Sequence, residues 1–401
     1  MSGILGRLLR SQQKPQAIDL QPVEVHRVET DPDRRARCLK HLLKANHVNY
    51  AMVLDKTLAV NHSAQLLSAA YLLGASSDQL LALFESETQH LEPWIPAPAE
   101  VVDLDWQDFF GDKRYQRAYV DFFEDKLVMD FAFDWKKEVE HFLFVGEKPL
   151  FHCLTGGLGH ALVHLGYAYE MDCKEIAMEA LSLACLQRDF LHKYLDDDSY
   201  TRPSPLAPGS LLDLIERLSV DERFNELPTG VRYNEVEALF DEHQDFILDY
   251  WNALKIEDPV AQLRQSQETA VWLLMTSTAT NTYNLNFVHL LTTSHALRVL
   301  LPVLPPQHHL ALMREWWLLV IMIFAIKGLS WPSRLFVKED IGSKDWAYVE
   351  KQALASRWCK DAHYIKAIRA MRDAAKTWGD PCNGFIQSAV AFVDGFKGWT
   401  Y

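Results

Sequence analysis

The spacing of apolar residues constrains this chain more than any other feature. Over residues 62–73, 80–91, 115–130, 159–170, 174–194, 211–218, 234–254, 258–279, 289–302, 308–327 and 361–378, apolar side chains recur at three- and four-residue steps. That period gives a helix one buried face. Good helix formers dominate these segments, and strand-like alternation is nearly absent. Breakers cluster at Pro93–Pro98, Thr201–Ser210, Glu226–Gly230, Leu301–Gln307 and Lys327–Pro332, which are predicted inter-helix loops. No stretch is long and polar enough for a domain linker. The expectation is an all-α fold: a tail and lead-in over 1–44, then a single large multi-helix domain over 45–401.

Composition excludes several classes. Forty basic residues against 54 acidic ones give a net charge of −14. Phosphate recognition needs clustered Lys and Arg, so nucleic acid is not an expected partner, nor is an anionic membrane surface. The apolar run Trp316–Ile326 is eleven residues long. A bilayer needs ~20, so it reads as a buried helix. At the N-terminus the apolar run is too short for a signal-peptide core and reads as a frayed tail. The six cysteines form no CxxC pair. They read as free thiols in a reducing, cytoplasmic setting.

The chemistry lies with the histidines. His160 and His164 stand four apart after Gly156, Gly157 and Gly159. Their rings share one helix face, as in helices that chelate a metal. The alternative is a pair hydrogen-bonded within the core. Ala161 and Leu162 occupy the positions where a zinc peptidase has its glutamate, so that chemistry is not supported. The glycines lack the GxGxxG spacing and a leading strand. A tight helix start or a close helix–helix approach explains them better.

His363 and Lys366 are three apart in a mostly apolar segment. Lys366 is either a snorkelling or salt-bridging residue or, if desolvated, an amine able to take up CO2 as a carbamate. His289 and His295 are six apart, about 240° around a helix, so only one of them can face a given site. His295 is preferred because it repeats the His-Ala-Leu that begins at His160. His62 follows Asn61. Ala70 and Tyr71 follow His62 at the same distances as Ala168 and Tyr169 follow His160. This echo is either chance or the trace of a helical duplication. Aromatic residues near the histidines, among them Tyr167, Tyr169, Tyr283, Phe287, Trp316, Trp317 and Phe324, are core by default or else the walls of a pocket for a flat ring.

Taken together, Asn61-His62, Gly157 to Glu170, His289 to Pro302, Trp316-Trp317 and Asp361 to Ala370 resemble the questin oxidase-like family, in order, from about residue 45 to about residue 395. Gln65 departs from a second histidine found there in relatives. The resemblance implies oxidative ring cleavage of an anthraquinone-type polyketide. It implies a non-haem iron (Fe2+) dioxygenase using O2, with four histidines and a carboxylated lysine on the metal. Carried onto this chain, the metal residues are His62, His160, His164, His295 and His363, with Lys366 as the carbamate. His289 is the reserve for His295, and Tyr167 is a proton shuttle. The alternatives are an NADPH-dependent Baeyer–Villiger-type monooxygenase on the same substrate class and a non-catalytic helical scaffold. In each enzymatic reading several helices point histidines into one buried central cavity.

Overall fold

In this computed structural model, residues 18–57, 59–146, 148–225, 235–278, 280–327 and 341–400 are described. The loops expected at Glu226–Gly230 and over 328–332, and residues 1–17 of the N-terminal tail and lead-in, lie outside them.

The fold is all-α, as the spacing of apolar residues demands. The helices that position the site are α1 (Arg34–Asn49), α2 (Ser63–Leu72), α3 (Gly156–Met171), α4 (Lys174–Leu186), α5 (Pro259–Thr276), α6 (Leu285–Leu300), α7 (His309–Lys327), α8 (Ala362–Trp378) and α9 (Gly384–Gly395). Their starts follow local chemistry. Asp33, Asn284 and Asp361 each accept backbone N–H groups from the first turn of α1, α6 and α8, satisfying donors that the helix itself leaves free. Helix α1 crosses residue 44 and buries Ala36, Leu39 and Leu43 against the rest, so tail and domain share one helix.

Two expected segments divide. The 174–194 segment ends its helix at Leu186 and resumes at Leu191, and 234–254 forms Val236–Glu242 and Gln244–Ala253. Strand structure is confined, among the described residues, to β1 (Thr282–Asn284) and β2 (Gly398–Thr400), paired in parallel. Three residues are too few for alternation to register in a sequence. The pair ties the C-terminal segment to the start of α6.

Helices α2, α3, α6 and α8 pack in a closed circuit, each against the next. Two glycines of α3 permit the tightest contact. A Cβ on Gly166 would stand 3.3 Å from that of Ala296 on α6, and one on Gly159 only 2.4 Å from Thr293 Cγ2. The glycines preceding His160 thus serve close packing and a helix start, as the sequence suggests. Helix α7 carries the Trp316–Ile326 run. Residues 306–326 are long and apolar enough to cross a membrane, yet 83% of the most apolar window is buried inside the protein. Its surroundings are protein on nearly every side, which is what a core helix requires.

Candidate functional site

Four imidazoles meet inside the helix circuit, one from each helix or its cap. Ring centroids are separated by 5.0 Å between His62 and His160, 4.9 Å between His160 and His289, 5.1 Å between His289 and His363, and 4.6 Å between His363 and His62. Nitrogens of His62, His160 and His363 all fall within 4.8 Å of one another. The Nε2 atoms of His62 and His160 face each other at 3.0 Å.

Each ring is aimed by its own local structure. His62 caps α2, and Asn61 before it is anchored: its Nδ2 donates to Asn46 Oδ1 at 2.9 Å, and its Oδ1 accepts from the Ser63 N–H at 2.9 Å. His160 follows a left-handed turn with positive φ at Gly157, Leu158 and Gly159. That turn brings the Gly157 carbonyl to His160 Nδ1, which donates to it. In the neutral ring Nε2 is then left with its lone pair facing inward, the arrangement found in metal-ligating histidines. His289 is buried on α6, where its carbonyl accepts from Thr293 Oγ1 at 2.6 Å. Thr293 in turn accepts from Trp316 Nε1 at 2.9 Å. His363 lies in the first turn of α8, and its buried Nε2 has no hydrogen-bond partner.

Burial and mutual repulsion keep these rings neutral. Loss of hydration, with Lys366 and neighbouring rings adding positive potential, holds His62, His289 and His363 well below the usual imidazole range. His160 is pushed down to about 4 by burial and then by Lys366. Lys366 is 1% exposed, and burial lowers its amine to about 7. Its Nζ donates to Gln65 Oε1.

The structure corrects two expected placements. His295 is not with the rings; His289 takes that position. His289, Thr293 and Ala296 form the face of α6 that meets α3, while His295 points the other way and accepts from Arg369 Nη1 at 2.9 Å. His164 also lies outside the ring circuit. One helical turn beyond His160, its Nδ1 meets Gln65 Nε2 at 2.7 Å and its Nε2 stands 3.7 Å from Glu179. His62, His160, His363 and Lys366 are brought together. Tyr167 borders a narrow space that also reaches His295 and Lys366, and burial raises its phenol above its usual value. The expected aromatic wall is dispersed: Tyr283 packs on Phe392 and Phe396, Tyr169 on Trp135, and Trp317 donates to the Tyr250 carbonyl.

Gln65 links Lys366 to His164, a role that the sequence revealed only as a departure from a histidine. A second cluster of ligand-type residues, Glu170, His295 and Asp373, is filled by the Arg369 guanidinium. Arg369 Nη2 stands 2.6 Å from Glu170 and 2.5 Å from Asp373, so this cluster is an ion-pair network.

The donor set of the first cluster fits a divalent transition metal. Two nitrogens at right angles on an ion with bonds of about 2.1 Å stand about 3.0 Å apart, the spacing seen between His62 and His160. The orphaned His363 Nε2 is a buried lone pair or donor lacking the partner it needs.

The chain is 26% identical over 215 residues to the Baeyer-Villiger oxidase AgnL3 of Paecilomyces divaricatus, covering 50% of this chain and 45% of that protein. It is 21% identical over 388 residues to the Baeyer-Villiger oxidase mdpL of Emericella nidulans, covering 88% and 84%. It is 25% identical over 236 residues to the Baeyer-Villiger monooxygenase AacuH of Aspergillus aculeatus, covering 52% and 47%. The first and third matches thus span about half the length of those relatives. Residues 59–371, which contain all four rings and Lys366, match the questin oxidase-like family, and the chain belongs to that family.

Proposed function

We propose that this protein is an oxidoreductase that cleaves a ring C–C bond of an anthraquinone-type aromatic polyketide with O2, using a non-haem iron. His62, His160, His289 and His363 would hold the metal. Lys366, once carboxylated, would add an anionic oxygen ligand. The observation that carries this reading is the closed circuit of four neutral imidazoles from four helices. Neutral imidazoles suit iron, and one anionic oxygen offsets part of its charge.

Iron, when bound, supplies the redox chemistry that lets O2 react with the aromatic ring. The chain's own residues prepare the site. His160 presents the Nε2 lone pair because Gly157 holds the Nδ1 proton. Lys366 is buried enough to offer a neutral amine near pH 7. Its nitrogen lone pair attacks the carbon of CO2, an N–C bond forms, and one N–H proton leaves to solvent. Gln65 hydrogen-bonds the end of that side chain and fixes its direction. Tyr167, kept protonated by burial, serves as the proton shuttle beside Lys366.

A second reading, an NADPH-consuming Baeyer–Villiger-type monooxygenase, is favoured by the names of the three relatives. Metal analysis by plasma mass spectrometry, with O2 uptake on a hydroxyanthraquinone, separates the two. About one iron per chain and uptake without NADPH is the expected result. Turnover that requires NADPH and is indifferent to iron removal would overturn the iron reading in favour of the second.

A further inference from the structure

A string of polar side chains leads away from Lys366 through the apolar interior, on the side opposite to the four rings in its chemistry: it holds no candidate metal ligand beyond Lys366 itself. Lys366 Nζ donates to Gln65 Oε1. Gln65 Nε2 meets His164 Nδ1 at 2.7 Å, and His164 Nε2 stands 3.7 Å from Glu179 Oε2. The other oxygen of Glu179 accepts from His47 Nδ1 at 3.0 Å, and His47 Nε2 donates to Glu124 Oε1 at 3.2 Å. Lys366, Gln65, His164, Glu179 and His47 are all buried, one on each of α8, α2, α3, α4 and α1. The Glu124 side chain is 45% exposed, so the string reaches solvent there. Buried polar groups are costly unless each is met, and here each faces the next.

The string has a direction. A lysine nitrogen carries N–H as ammonium, amine or carbamate, so the Gln65 oxygen is the end that faces it. The Gln65 amide N–H then points at His164 Nδ1, which must offer its lone pair. The His164 proton accordingly sits on Nε2, on the side of Glu179. A second acceptor pulls the other way: the His160 carbonyl lies 3.2 Å from His164 Nδ1. A proton on Nδ1 would turn the Gln65 oxygen toward His164 and leave the Gln65 N–H groups facing Lys366. The charge of Glu179 decides between the two tautomers. At 3.7 Å it is beyond hydrogen-bond length, but inside a protein a charge at that distance still favours an N–H aimed at it. His47, protonated between Glu124 and Glu179, keeps Glu179 anionic.

We propose that Glu179 is a positioning residue for Lys366: through His164 and Gln65 it fixes which end of the Gln65 amide Lys366 meets. Its use rests on the reading of Lys366 as the carboxylated ligand. A carbamate keeps one N–H on its nitrogen. With that N–H on Gln65 Oε1, both carbamate oxygens are left free of Gln65. A reversed amide would offer its N–H to those oxygens and compete for them with a metal.

The test reads the His164 tautomer by 15N NMR of the full chain labelled at histidine. It is run without metal or CO2, so its failure is separate from failure of the iron reading. His164→Gln identifies the signal. The unaltered protein should carry the proton on Nε2. Glu179→Gln keeps the shape and removes the charge. It should shift the tautomer ratio toward Nδ1 by about tenfold, the factor by which a charge-assisted hydrogen bond exceeds a neutral one. Lys366→Met frees the Gln65 oxygen from the opposite end and should shift the ratio the same way. It also decides the matter if Glu179→Gln does not fold. A proton on Nδ1 in the unaltered protein, or a ratio that one of these variants leaves unmoved, overturns the proposal.

Discussion

His62 Nε2 and His160 Nε2 stand 3.0 Å apart although 98 positions separate them in the chain. Each lies at the start of its helix, one on a cap fixed by Asn61 and the other after a left-handed turn. Ala70-Tyr71 and Ala168-Tyr169, which echo each other in the sequence, follow on those same two helices.

His289 and His295 separate the metal reading from a generic histidine effect. His289→Ala should weaken iron binding by more than about tenfold, since loss of even an indirect partner of a metal costs that much. His295→Gln should leave iron content near that of the unaltered protein, because its ring faces Arg369. Plasma mass spectrometry on iron-reconstituted variants checks both. Equal loss in the two variants would contradict the assignment of the rings.

Lys366→Met should abolish turnover while leaving the unfolding temperature close to that of the unaltered protein. The amine is buried with Gln65 as its hydrogen-bond partner, and burial already lowers it to about 7. Relief of the buried amine is set against about 1–3 kcal/mol for leaving Gln65 Oε1 without its donor, so the two largely offset. Calorimetry and an O2-uptake assay on the same preparation decide it. A strongly destabilised variant would make Lys366 a structural residue.

Gly159→Ala should destabilise the protein by about 2–5 kcal/mol, combining overpacking with left-handed backbone strain. The new methyl would meet Thr293 Cγ2 at 2.4 Å, and φ there is +79°. Urea unfolding midpoints measure the loss. The same variant should also disturb His160, whose Nδ1 partner Gly157 belongs to that turn.

His47 predicts an alkaline loss of stability. Burial opposes its charge, but Glu124 and Glu179 outweigh that and raise it from 6.5 to about 9. Because the folded value is the higher one, this contribution is complete below pH 6.5 and fades as pH rises through about 9. His47→Gln should flatten the stability profile over that window in a pH series of denaturant melts. An unchanged slope would remove His47 as its cause.

Much of this protein was legible in its sequence. The helical period determined the fold class, though helices α1 and α9 fall outside the segments it marks. His62, His160, His363 and Lys366 stood out as residue types suited to a metal. The short β1–β2 pair did not, because its two strands are local in neither sequence nor pattern. The choice between His289 and His295 is where sequence runs out. Helical spacing determines that the two rings point about 240° apart, but not which of them faces inward. That absolute rotation comes from packing: Gly159 against Thr293 and Gly166 against Ala296 seat one face of α6 on α3, and His289 lies on that face. His295 is left to Arg369 and the ion pairs of α8. A helix's own sequence specifies angles between its side chains; only its neighbours specify the direction from which those angles are counted.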